Sequence, residues 1–184
     1  NKTCSTNAST TSIKEIKFGE DDLHDDWKVG QPPTYKMLIQ SILENFEKEA
    51  RDFVKAVYKD NANWIKEKIV LDIRTRVNSK LQEKQKIANR NDVTITLDYA
   101  DQFLNSTDFC TLIAIILHNT RDFSKALEDP NLYELQPLLL GIKKIRDPRS
   151  HADETVPVDE NTFKKLSFLI SEALNKFKMY HNKN

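Results

Sequence analysis

Glycine is scarce in this chain, with three residues in 184, at Gly19, Gly30 and Gly141. They stand far apart, so no glycine-rich phosphate loop of the Rossmann or P-loop kind can be written. Tight β-turns consume glycine at positive φ, which counts against an all-β fold as well. Cysteine is nearly absent. Cys4 and Cys110 make no disulfide framework and no CxxC. The histidines, His24, His118, His151 and His181, include no pair at helical ligand spacing, so no metal site and no cofactor are expected. The longest apolar run, Leu112 to Leu117, is six residues, against the roughly 20 of a membrane span. Excess charge of either sign is missing too, since 28 basic residues face 28 acidic ones. That balance disfavours strong autonomous nucleic-acid binding and still leaves room for a local basic patch.

What is present is helical periodicity on a highly charged background. With 39% hydrophobic and 30% charged residues, the composition points to a soluble helical protein rather than a disordered one. The chain starts at Asn1 with neither initiator Met nor signal peptide, which reads as a piece of something larger. Sequons at Asn1, Asn7 and Asn105 are close to the roughly two that chance supplies and say nothing of secretion. Residues 1–33 read as a linker-like, partly disordered lead-in, small and polar over NKTCSTNASTTS. Within it, EDDLHDD (residues 20–26) is a solvated acidic strip or, on a sharper reading, a shield for a basic surface. Residues 34–184 read as one helical domain.

From Thr34 the apolar residues Leu38, Ile39, Ile42, Phe46, Ala50, Phe53, Val54 and Val57 recur at three- and four-residue spacing, which predicts a long first helix. A second helix should start near Asn61 or Asn63 and carry Ile65, Ile69, Ile73, Val77 and Leu81, fraying or projecting over the polar Gln82 to Arg90. Asp92 to Leu97 alternates, but a lone strand has no partner, so a loop is expected there. Thr107 and Asp108 offer an N-cap that splits Tyr99–His118 into two helices. The second of these is apolar nearly all round and should sit centrally. Leu132, Leu135, Leu138, Leu139, Ile142 and Ile145 form the next face, and Pro148 should break or kink that helix. The last helix should follow Asp159 as N-cap, burying Phe163, Leu166, Ile170, Ala173, Leu174 and Phe177. Phe168 and Leu169 lie beyond that stripe and suggest a second copy, hence a homodimer. The expected architecture is an all-α bundle of five or six helices.

Chemistry concentrates in Gly141–Asp153, GIKKIRDPRSHAD. Lys143, Lys144, Arg146, Arg149 and His151 gather near a helix end, where positive charge also complements the dipole. His118 reads as a C-terminal cap. Trp27 and Trp64 have rings able to stack on bases, with core or lid packing the weightier reading. The run Arg146-Asp147-Pro148-Arg149-Ser150-His151 resembles the signature of the HEPN superfamily: an arginine ending a bundle helix, a polar residue, then a histidine a few positions on. Asp147 stands where asparagine is commonest. More narrowly, this run together with the Phe103-Leu104 and Leu112-Ile113 helices is similar to the C-terminal HEPN domains of fungal nuclear PIN-domain endoribonucleases, which monitor messenger ribonucleoproteins.

That resemblance implies an up-and-down helical bundle, a homodimer, a nuclear and perinuclear as well as cytoplasmic location, and RNA, ribonucleoprotein or messenger-export proteins at the nuclear periphery as partners. The parent protein would be an endoribonuclease in which this domain serves mainly dimerisation and docking, with Lys143, Lys144 and Arg149 as RNA contacts. The alternative is a metal-independent ribonuclease with a composite site across the dimer. There Arg146 would stabilise phosphate oxyanions, His151 would move protons and Asp147 would support them. From a different class comes a secreted helical-bundle ligand with Cys4 bonded to Cys110.

Overall fold

In a computed structural model of the chain, the described residues are 34–90, 98–150 and 159–183, with the helical backbone alone described for 147–150. The expectations for the lead-in, Trp27, the loop at residues 92–97 and His151 fall outside them. Among the described residues the architecture is all α-helical, without a strand. It comprises α1 (Tyr35–Val57), α2 (Trp64–Lys68), α3 (Leu71–Arg90), α4 (Tyr99–Leu104), α5 (Phe109–His118), α6 (Thr120–Leu127), a 3-10 turn (Pro130–Leu132), α7 (Leu135–Ser150) and α8 (Glu160–Lys183). No helix of the described residues is long and apolar enough to cross a membrane.

Capping sets several of these boundaries. The Thr34 hydroxyl accepts from the Met37 amide at the start of α1. Asp98 and Asp108 do the same for α4 and α5, accepting from the Asp101 and Thr111 amides at 2.8 Å each. Asp159 accepts from the Thr162 amide at 2.8 Å ahead of α8. Each such bond satisfies one of the orphan donors of a helix N-terminus.

The core forms where α1 lies along α8. Phe53 stacks on Phe177 with ring centroids 4.5 Å apart, Phe46 lies 5.9 Å from the same ring, and Tyr35 meets Phe163 at 5.7 Å. These pairings advance together along both helices, so α1 and α8 run parallel. α7 packs antiparallel on α8: Glu134, just ahead of α7, pairs with Lys176, and further along α7 the backbone at Gly141 comes so close to Leu169 that an added Cβ would sit 3.0 Å from its Cδ1. Short α5 is central, with Phe109, Leu112, Ile115 and Ile116 fully buried.

Four expectations need correction. The second helix is two: Ile69 turns to extended backbone at φ −93°, ψ 126°, ending α2 before α3 begins. This lets Ile65 and Ile69 as well as Ile73 reach the core, although each helix alone is short or polar. Of the two readings for Gln82–Arg90, fraying fails, since the stretch remains helical and is mostly exposed. Lys84 donates to the Asn105 carbonyl at 2.9 Å and Gln85 to Gln102 at 3.1 Å. Pro148 does not end α7, which runs on to Ser150. A proline in a last turn forfeits a single N–H···O bond, here to the Lys144 carbonyl, and little helix remains beyond it to disrupt. Finally, the described residues hold eight α-helices rather than five or six. The additions are α6 and the separate α2.

Candidate functional site

The last turns of α7 carry Lys143, Lys144 and Arg146, with Asp147 and Arg149 following on the same helical backbone. Their phase is set by the core. Leu135, Leu139 and Ile142 are fully buried, and Arg146 continues that series at the next four-residue step. It therefore comes to the inner side of α7, half-buried, while Lys143 is half-buried and Lys144 exposed.

The Arg146 guanidinium lies over the Phe109 ring, 5.2 Å from its centroid, within the range of a cation–π contact. Its Nη1 donates toward Cys110 Sγ at 3.8 Å. Both partners are the first two residues of α5, whose N-cap is Asp108. The guanidinium thus closes the α5 end of the core, held by a ring face and a sulfur rather than by backbone carbonyls. It has five N–H donors, and the sulfur occupies one of them weakly. The rest of the fork retains the bidentate geometry that suits phosphate or carboxylate oxygens. His151 lies outside the described residues, and so does its expected approach to Arg146.

Asp108 is the most perturbed acid beside this arrangement. Burial pushes its carboxyl up, but the Lys80 ammonium at 2.7 Å and the Thr111 amide and hydroxyl outweigh that and bring it down to about 2. Tyr58 is perturbed the other way. Burial first, then the charge of Asp122, whose Oδ2 accepts from its hydroxyl at 3.2 Å, hold the phenol well above its ordinary range.

A second arginine, outside the α7 cluster, binds backbone carbonyls. Arg51 on α1 donates from Nε to the Leu104 carbonyl at 3.1 Å and from Nη2 to the Thr107 carbonyl at 3.2 Å, and it pairs with Glu47 at 2.8 Å. It pins the α4–α5 connection to α1. The only hint of this was the four-residue Glu47–Arg51 spacing. Trp64 is a core residue, 4% exposed, and stacks on Tyr58 at 4.9 Å. His118 closes α5 and is exposed.

Two surface depressions, of about 430 Å³ beside Trp64 and Tyr99 and about 550 Å³ beside Tyr58 and Tyr180, contain no residue of α7. Among the described residues, no group of three or more His, Cys, Asp and Glu side chains comes together as a metal site would require. No family model, no curated protein and no solved structure matches this chain.

Proposed function

We propose that the chain is a HEPN-like domain that docks RNA or a ribonucleoprotein partner and pairs with a second copy of itself, within a nuclear endoribonuclease of messenger surveillance whose cutting is done elsewhere. The observation that carries this reading is the position of Arg146. Its guanidinium is engaged with Phe109 and Cys110 at the foot of α5, where it serves the packing of α7. An arginine used in this way still presents a fixed cation beside Lys143 and Lys144, which suits recognition of a phosphate backbone without chemistry on it. Exposed Phe168 on α8, 63% accessible, supports the pairing. Leu169, by contrast, is used within the chain against Gly141.

The test is a metal-free cleavage and binding assay on single-stranded RNA with Arg146→Lys, His151→Ala and Lys143→Gln/Lys144→Gln, alongside sedimentation equilibrium. Docking predicts no cleavage by any form, weaker RNA binding in the lysine double variant, and a dimer. Cleavage by the parent chain that disappears in both Arg146→Lys and His151→Ala would overturn the reading and make the pair catalytic.

A further inference from the structure

α8 gives its inner side to α1, α6 and α7. Leu166, Ile170, Ala173 and Phe177 turn into the core, and Leu169 lies against Gly141. Phe168 and Met179 do neither. They are 63% and 57% exposed. At 100° per residue they fall about 20° from each other and about 150–170° from the middle of the buried stripe. The same outer face carries Lys165, Glu172, Asn175 and Asn182, all of them exposed. Taken in order, Lys165, Phe168, Glu172, Asn175, Met179 and Asn182 stand three, four, three, four and three residues apart. That alternation is the spacing of a seam between two helices.

The spacing reads the same from either end, and the residues at mirrored positions complement one another. Let a second α8 lie antiparallel, with the two-fold axis passing between Ala173 and Leu174. Phe168 then meets Met179 of the second copy, Glu172 meets its Asn175, and Lys165 meets its Asn182, each pair occurring twice. The first pair is a ring against a thioether. In the second a carboxylate accepts from a carboxamide N–H, and in the third an ammonium donates to a carboxamide oxygen. The register also opposes Lys164 to Lys183, but these are paired with Glu160 and Glu128 of their own chain. A parallel pairing sets Glu172 on Glu172 and Lys165 on Lys165, which repel. An antiparallel register centred on Phe168 leaves Met179 uncovered. An unrelated protein as occupant requires no mirrored order at all.

We infer that α8 pairs with α8 of a second copy in antiparallel orientation, Phe168 of each against Met179 of the other. The inference rests on the reading of the chain as one that pairs with itself, and adds which face is used and which way the copies run. A single helix face with four of these six seam positions polar belongs with the small interfaces, below about 1,200 Å², so monomer and dimer exchange.

The experiment is sedimentation equilibrium of the full chain from about 10 to 500 μM, the range of weak dimers. Phe168→Glu and Met179→Lys should each weaken dimerisation by about tenfold or more, with the helical circular dichroism kept because both positions are exposed. The double variant Phe168→Glu/Met179→Lys should dimerise better than either single one. The register brings its new carboxylate to its new ammonium across the axis, whereas within one copy they lie about 16 Å apart along the helix. Salt at about 1 M should remove that recovery. A double variant no better than the single ones overturns the antiparallel register. Single variants that dimerise as the parent does overturn the α8 face and leave pairing through another surface standing. A parent chain that stays monomeric throughout removes both readings.

Discussion

Asp108 joins two functions in one carboxylate, and its replacement should separate them. One oxygen caps α5 through the Thr111 amide and the other meets Lys80 of α3, so the side chain fixes the end of α5 on which Arg146 rests. The carboxyl is drawn from 3.8 to about 2. At about 1.36 kcal/mol per unit, the ceiling on its charge-linked stabilisation is about 2.5 kcal/mol. With 38% of the side chain exposed, solvent screening reduces this to about 1 kcal/mol. The cap itself contributes about 1 kcal/mol more. Asp108→Asn keeps a capping acceptor and loses the charge, so it should cost about 1 kcal/mol; Asp108→Ala should cost about 2 kcal/mol, a fall in Tm of about 4–8 °C for a domain of this size. Because the folded carboxyl is more acidic than the unfolded one, the charge-linked part is complete above the unfolded value of 3.8 and is lost as pH falls toward 2. Urea denaturation from pH 7 downward should therefore show the gap between the parent and Asp108→Asn closing below about pH 4. A gap that holds constant to low pH, or an Asp108→Ala form as stable as Asp108→Asn, would refute the division into cap and charge.

Two further outcomes follow from the packing. Gly141→Val should destabilise by about 1–3 kcal/mol in thermal melts, because its branches have no room beside Leu169; Gly141→Ala should be close to neutral, its helix propensity gain of about 1 kcal/mol offsetting the displaced Leu169 methyl. A parent-like melt for the valine form would show that α7 and α8 have slack between them. Tyr58 ionises in the unfolded chain near 10 but only at higher pH in the fold. Its contribution is thus present below pH 10 and lost above it. Tyr58→Phe should be less sensitive than the parent to alkaline unfolding, measured as urea midpoints across about pH 9–11, and identical slopes for the two forms would remove the assignment.

The parts of the fold that could be read in advance are those where one residue announces its own role. Asp108 and Asp159 each cap the helix expected of them, and the stripes of α1 and α8 bury most of the residues their spacing selects, leaving Leu38, Val57, Phe163 and Leu174 partly buried. The misread parts depend on neighbours. Ile65, Ile69 and Ile73 keep one spacing straight through a break, because a short extended link can preserve helical phase. The region after α6 turns on left-handed residues, Glu128, Asn131 and Leu132, with φ between 53° and 55°, none of them glycine. Buried Asp129 holds that turn by accepting from the Glu134 and Leu135 amides. Arg146 sits on the inner side of α7, half-buried. Its four-residue step from Ile142 was visible, but an inward arginine makes sense only once Phe109 is known to lie opposite.

The pairing of α1 with α8 also bears on how the molecule is made. Phe53 finds its closest ring in Phe177, near the far end of the described sequence, so the central aromatic stack cannot form until the final helix has been synthesised. Folding must bring together residues more than a hundred positions apart before its best contacts exist, which places it among topologies that fold slowly for their helix content. During translation the side of α1 that packs on α8 leaves the ribosome unmatched and must wait for that helix. In that interval the nascent chain is exposed to misassociation and to chaperones. A ribosome stalled before Phe177 should display a protease-sensitive chain, and one stalled far enough past Lys183 for α8 to emerge a resistant one.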